Sequence, residues 1–292
     1  MTNQALQEMI PQVWKDGYEE LLKNELVITD GANQSFGQNV SKFGDAVIIE
    51  IEPNVTGSAW TGGDLTAPVQ VAGSTAEGKV NKGYQYNFKI KNTDSLQARP
   101  TLQGAKNLIK TAMFNFAEAI EIEAAALYTE AGIVATDSVG DPILIDQDTA
   151  WEALAYMNNL FDKAKLPKKG RVAYLDSNFC TFLNIQGKNS NTEDSRQTEW
   201  KNGRTGKVLS GFEIRMSNNI YNDGAEDPTY QPLFGMDKQY MGLAMQKDLE
   251  LKYYMPEASL DDAWKGGAVY GLFVYRNDKF GTMKTKYGSF LA

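Results

Sequence analysis

Residues 101–132 read TLQGAKNLIKTAMFNFAEAIEIEAAALYTEAG, and this stretch decides the architecture. Leu102, Ala105, Ile109, Met113, Phe116, Ile120 and Leu127 recur on one helical face. Pro100 and Thr101 mark the start and Gly132 the stop. A helix over 101–131 is a rod of about 46 Å, well above the mean helix of a globular domain. A compact enzyme of this size rarely needs such a rod. Glu118, Glu121 and Glu123 cluster on it, a pattern that invites an acid/base or metal reading. No His accompanies them and no apolar gap is evident around them, so the expectation is a solvated face or ion pairs between subunits.

Upstream of the rod, Asp45 to Pro53 (DAVIIEIEP) reads as a strand with Val47, Ile49 and Ile51 on one face and Glu50 and Glu52 on the other. In Tyr84 to Lys91, Tyr84, Tyr86, Phe88 and Ile90 alternate with Gln85, Asn87, Lys89 and Lys91, which suits an antiparallel partner and one wet face. These two strands are expected to pair. Between them, residues 54–83 are rich in Gly, Thr, Ser and Ala, and far longer than a hairpin loop. An extended two-stranded projection is the economical reading. It cannot bury its own surface, so Trp60, Leu65, Val69 and Val71 are expected to dock on a neighbouring chain. At the N-terminus, Val13, Trp14, Gly17, Tyr18, Leu21 and Leu22 recur at helical spacing. Two readings stand for residues 1–30: a packed helix, or an arm that docks on a neighbouring subunit.

Downstream the pattern becomes an alternation of helices and strands. Thr149 to Lys165 is helical through Trp151, Leu154, Met157 and Phe161, and Pro167 with Gly170 ends it. Arg171 to Leu175 (RVAYL) reads as a buried strand, followed by a short helix over Ser177 to Leu183. Residues 186–206 are polar and almost free of aliphatic side chains, the best candidate for a mobile loop, with Trp200 the residue to pin it. Strand patterns follow at Val208 to Met216, Tyr240 to Gln246, Leu249 to Met255 and Ala268 to Tyr275.

Composition removes whole mechanisms. The 292 residues include no His and one Cys, and 29 Lys and Arg against 37 Asp and Glu give a formal charge of −8. Ser-His-Asp and Cys-His activation are excluded, as are imidazole metal ligands, disulfides within the chain and zinc ribbons. A pI near 4.8 argues against electrostatic gripping of nucleic acid, although an acidic chain can line a space that holds DNA. No apolar run approaches a membrane span, and the start lacks the pattern of a signal peptide, so folding in a cytosol is expected. No dinucleotide-binding, phosphate-loop or calcium-loop motif is present. Asn222-Asp223-Gly224 reads as a turn, and Cys180, within NFCTFL, as a small buried hydrophobe.

The order of these pieces, together with local text, resembles the major capsid proteins of tailed bacteriophages, the HK97-type capsid fold. FGDAVIIEIEP (43–53) is similar to that family's entry into its E-loop and GYQYNFKIKNTDSLQA (83–98) to the exit. FAEAIEIEAAALYTEAG (116–132) is similar to the spine helix. KLPKKGRVAYLDSNFCTFL (165–183), GKVLSGFEIRMSNNI (206–220) and DDAWKGGAVYGLFVYRND (261–278) are similar to successive A-domain and return strands.

The resemblance implies an α+β fold with an N-arm (1–44), an E-loop hairpin with flanking P-domain strands (45–91), a long spine helix with P-domain (92–148), an A-domain (149–264) and return strands to both domains (265–292). It implies no enzyme activity, cofactor or metal. It further implies self-assembly into pentamers and hexamers of an icosahedral shell enclosing double-stranded DNA, in the host cytoplasm during assembly and then in the virion. Because only about 40 residues precede the first strand, a separate scaffolding protein is expected, beside a portal and, optionally, a decoration protein. Trp14, Tyr18, Leu22, Trp60, Leu65, Val69, Val71, Glu118, Glu121 and Trp200 are the candidate inter-subunit contacts. Lys79 and Lys82 lie near the loop, with no motif naming a partner for a cross-link. The alternatives are an encapsulin-type nanocompartment shell, a tail-structural or carbohydrate-binding β protein, and a cofactor-free enzyme working through Glu or Asp.

Overall fold

The computed structural model describes residues 27–36, 46–51, 57, 59, 60, 62, 73–90, 101–189, 200–201, 204–257 and 261–288. The long helix α1 (Thr101–Ala126) continues as a 3-10 turn over Leu127–Glu130. Twenty-six residues make about 39 Å of α-helix. It stops where Gly132 lies against the backbone of Asn277, to which it donates a 3.0 Å hydrogen bond. Its buried face carries Phe116, Ile120, Glu121, Ala124 and Ala125, while Met113, expected on that face, is exposed. The side chains of Leu102, Ala105 and Ile109 lie outside the described residues.

Beneath α1 lies an antiparallel sheet in the order β11 (Met241–Tyr254), β12 (Asp262–Val274), β3 (Lys82–Ile90). The period of two in β3 is realised: Tyr84, Tyr86 and Phe88 are half-buried, whereas Gln85, Asn87 and Lys89 are exposed. Phe116 of the helix meets Tyr84 and Tyr270 with ring centroids 5.1 and 5.7 Å apart. Two strand patterns, Tyr240 to Gln246 and Leu249 to Met255, are in fact one strand, β11, irregular around Lys247. A bulge interrupts the alternation without ending the strand.

The second sheet is seven-stranded, in the order β4 (Ile133–Ala135), β13 (Phe280–Met283), β10 (Leu233–Met236), β6 (Arg171–Leu175), β9 (Phe212–Met216), β8 (Arg204–Leu209), β7 (Trp200–Lys201). Helices α2 (Ala150–Lys163) and α3 (Ser177–Asn189) cover one face. Strand β6 explains its own sequence. Ala173 and Leu175 join the core under α2 and α3, and Val172 and Tyr174 join the core under α1. A strand buried on both faces has no reason to alternate.

Val208 to Met216, expected as one strand, is a hairpin. Ser210 (φ 47°) and Gly211 (φ 89°) form the two-residue turn between Leu209 and Phe212, both in the left-handed region that such tight hairpins demand. Helix α3 runs past Leu183 to Asn189. The rest of the expected mobile loop comprises β7, β8 and residues outside the described set.

The largest departure concerns β1 (Ala46–Ile51). It does not pair with β3. Its partner is β2 (Ser74–Lys79), from Ala46 opposite Lys79 to Ile51 opposite Ser74, and β3 pairs with β12 instead. The chain leaves β2 at Lys79 and enters β3 at Lys82, so the β1–β2 ribbon is set directly before β3. A strand pattern names a wet face and a dry one; it does not name the partner.

Candidate functional site

Two parts of the chain are anchored on this body by built contacts, the β1–β2 ribbon and residues 27–33. The ribbon's root is apolar. Val80, Ala244 and Phe273 are buried, with Phe36, Val47, Ile49, Val269 and Tyr275 packed on them. Phe36 meets Phe273 and Tyr275 at 5.9 and 5.5 Å, and Gly78 lies flat against the Phe273 ring, where a Cβ would collide. The alternation in β1 therefore points Val47, Ile49 and Ile51 towards the body and leaves Ile48 70% exposed, beside exposed Ala46 and Glu50. An open groove of about 590 Å³ separates the ribbon from the end of α1, lined by Ile51, Ala76, Glu130, Ala131, Val274 and Tyr275 among others.

Residues 27–33 are anchored by both kinds of contact: Val27, Ile28 and Ala32 are buried in the main core, and polar bonds are added to them. The fully buried carboxylate of Glu121 accepts the backbone N–H groups of Val27 (2.8 Å), Ile28 (2.8 Å) and Thr29 (3.0 Å), and the hydroxyls of Thr29 (3.1 Å) and Ser217 (3.4 Å). A buried charge is tolerated when hydrogen bonds replace its water, and here five donors do so. This corrects the expectation of a solvated or inter-subunit Glu121. Its neighbours carry a signal that could have shown it: Ile120, Ala124 and Ala125 place position 121 inside the buried stripe. Glu123 is likewise engaged within the chain, in a 2.8 Å ion pair with Lys82. Glu118 is half-buried on the same helix.

Next along the chain, the 3-10 turn Thr29–Gly31 sits on Tyr174, so close that a Cβ on Gly31 would overlap the phenol oxygen. Arg215 donates to that oxygen (3.3 Å) and pairs with Asp237 (3.2 Å) and Glu213 (3.1 Å). Burial pushes the Tyr174 hydroxyl well above its ordinary range, which keeps it a neutral donor and acceptor. A comparable knot ties the last strand to α3. Asp176 accepts the Tyr287 hydroxyl and the Asn178 N–H (3.0 Å), and burial raises its pKa.

Of the other residues expected at contacts, Trp60 is 71% exposed. Trp14, Tyr18, Leu22, Leu65, Val69 and Val71 lie outside the described residues, as does the side chain of Trp200, whose backbone is in β7. Cys180 is a buried free thiol, and burial raises its pKa. Among the described residues no group of three or more His, Cys, Asp or Glu is gathered where it could hold a metal ion, and no helix is long and apolar enough to cross a membrane.

No protein-family model and no curated protein matches the sequence. Solved structures do match, nearly end to end. A chain from Mycobacterium phage Che8 superposes with a TM-score of 0.74 at 19% identity, covering 93% of this chain and 96% of that one. The capsid structure of the cyanophage P-SCSP1u gives 0.72 at 13% identity over 97% and 94%. The mature capsid of bacteriophage PhiM1 gives 0.67 at 11% identity over 96% and 92%. The chain thus has the mixed helix-and-sheet fold of phage capsid chains.

Proposed function

We propose that this chain is a major capsid protein that self-assembles, through pentamers and hexamers, into an icosahedral shell around phage double-stranded DNA. The observation that carries the reading is the coverage: more than nine tenths of this chain and of each of the two solved capsid chains, from the cyanophage P-SCSP1u and bacteriophage PhiM1, superpose. The β1–β2 ribbon, whose Ile48 is exposed, agrees with it, since a subunit that joins many copies needs surface left for its neighbours.

In this reading residues 1–44 are the N-arm, 45–91 the E-loop with flanking strands, 92–148 the spine helix and P-domain, 149–264 the A-domain and 265–292 the return strands. Sheet pairing favours one adjustment. Strands β11 and β12 share a sheet with β3 beneath α1, so they go with the P-domain. Trp60 and Ile48 are the ribbon's contacts with a neighbouring subunit, and Trp14, Tyr18 and Leu22 those of the N-arm. The working partners are further copies of the chain, a separate scaffolding protein and a portal, in the host cytoplasm and then in the virion. The net charge of −8 suits an enclosure that DNA enters without adhering.

Negative-stain imaging of the purified chain, alone and co-expressed with the scaffolding protein from its own gene neighbourhood, tests the proposal. Closed shells of uniform size are expected. A monodisperse monomer under both conditions would overturn it.

A further inference from the structure

A strand at the edge of a sheet offers a row of backbone N–H and C=O groups to any chain that comes beside it, and folds blunt that offer by shortening, bulging, charging or covering the edge. Among the described residues all edges but one are blunted. Strands β4 and β7 have three and two residues, and Ile143–Ile145 with Thr285–Tyr287, a separate two-stranded pair, have three each. Strand β11 loses its register around Lys247. Strand β3 carries Lys82 and Lys89, and β2 ends on Lys79, packed so close on β12 that a Cβ on Gly271 would strike its carbonyl oxygen. Strand β1 has none of these devices. It is six residues long, AVIIEI, in unbroken register with β2, without Lys or Pro and with Glu50 its single charge. Among the described residues no strand lies on its other side.

The same edge is open on every copy of the chain, and its pattern fits itself. A two-stranded ribbon is marginal alone and gains from further strands. When two β1 strands run antiparallel about a two-fold axis at Ile48, that residue stands opposite its own counterpart, Val47 opposite Ile49, and Ala46 opposite Glu50. Opposite residues share a face. This register therefore keeps exposed Ala46, Ile48 and Glu50 together on the outward side and Val47 and Ile49 on the side of the bodies, whereas a slip of one residue would mix the two faces. Each Glu50 faces an alanine, so no like charges meet. Ile48, 70% exposed in the free subunit, gains a second isoleucine as its neighbour.

We propose that β1 is a strand-addition site for a second copy of this chain, joining two ribbons edge to edge into a four-stranded sheet in the order β2, β1, β1, β2. The contact is isologous. Main-chain hydrogen bonds supply its length and Ile48 its apolar centre. Its place in a shell, as a link between neighbouring subunits, rests on the capsid reading given above; the pairing itself does not.

Cross-linking reads the register directly. Cys180, the chain's one cysteine, is buried, so a cysteine placed on β1 is the thiol open to mild oxidation. In the full chain, I48C is expected to form a disulfide-linked dimer about tenfold faster than E50C, whose counterparts stand four positions apart in the pair, roughly 13 Å and out of disulfide reach. A46C mixed with E50C should cross-link between the two chains, because those positions are opposite. Charge gives a second reading that needs no covalent bond. I48K alone and I48E alone each set like charges against one another, and each is expected to raise the concentration needed for association, read by light scattering, by about tenfold. An equal mixture of the two is expected to recover most of that loss. Equal cross-linking rates for I48C and E50C, or a mixture no better than its parts, would overturn the pairing. Cross-linked dimers from a chain that forms no particles with any partner would sink the capsid reading and leave the pairing standing. Particles whose I48C subunits stay uncross-linked after oxidation would do the reverse.

Discussion

Ile48→Thr on strand β1 separates the two faces of the ribbon. Ile48 is 70% exposed in the free subunit, so the body gains little from it, and Thr retains the β preference of a branched side chain. Monomer stability should change by less than about 0.5 kcal/mol. Burying a whole Ile side chain is worth about 1.5–3 kcal/mol, and the exposed share leaves about 1–2 kcal/mol for a neighbouring subunit to recover. Thr forfeits most of that, which corresponds to about 5- to 30-fold in the contact's dissociation constant. The concentration at which shells form, followed by light scattering, should rise by at least that factor. Ile49→Thr is the control. It points the other way, into the cluster of Val80, Ala244 and Phe273, and should cost the monomer about 1–2 kcal/mol in thermal unfolding. Assembly at the wild-type threshold by Ile48→Thr would refute the docking argument, and equal monomer destabilisation by the two variants would refute the alternation behind it.

Gly31→Ala should destabilise the subunit by about 2 kcal/mol or more, since the new methyl overlaps the Tyr174 hydroxyl, in the range of overpacked cores. Adding Tyr174→Phe should return part of that loss, so a double-mutant cycle in chemical denaturation should show coupling between the two; simple additivity would contradict the packing described. Stability should fall in acid. Hydrogen bonds from Val139 and Asp141 to Asp137, from Asp148 to Asp146, from Arg171 to Asp162, from Thr229 to Asp223 and from Arg276 to Asp278 hold these carboxyls below their ordinary pKa. Their contribution is complete above the unfolded value of about 4 and disappears as pH falls through the lower folded values. Asp176, raised by burial, has the opposite slope just above that value, so Asp176→Asn should remove a small gain of stability on mild acidification, measured by denaturant titration at several pH values. Cys180, buried and with its thiol raised, should resist a thiol reagent in the native subunit and react fully in denaturant; rapid native labelling would place it at the surface.

What could be read in advance follows from how local each feature is. The rod of α1, the face of α2 and the alternation in β3 are periodic patterns, and RVAYL is a continuous apolar run; each spans five residues or more and stands where expected. The missed strands β4, β5 (Ile143–Ile145), β10, β13 and β14 (Thr285–Tyr287) are three or four residues long. They exist because a partner strand lies beside them, and no period can develop in so short a run. Pairing was the weakest inference for the same reason: β1 found β2 rather than β3, though its inward face was correctly named. The Ser210-Gly211 turn did carry a local signal, a Ser-Gly pair within a strand pattern. Glu121 shows the other limit. Its place in the apolar stripe was visible, but its backbone donors come from residues 92 to 94 positions earlier, a relation that only the folded chain creates.

The β1–β2 ribbon and residues 27–33 are anchored by a different balance of contacts, and that difference has a consequence for assembly. Phe36, Val80 and Phe273 hold the ribbon through apolar contact, which is non-directional and tolerates a change of angle at small cost. Residues 27–33 add to the burial of Val27, Ile28 and Ala32 in the main core directional hydrogen bonds onto Glu121, Met241 and Leu243, which weaken steeply when bent. In the proposed shell one sequence must occupy both pentamer and hexamer positions, so neighbouring copies meet at more than one angle. The apolar root can absorb that variation, and the hydrogen-bonded root cannot without breaking. Differences between copies should therefore collect in the angle of the β1–β2 ribbon, while residues 27–33 keep one geometry throughout.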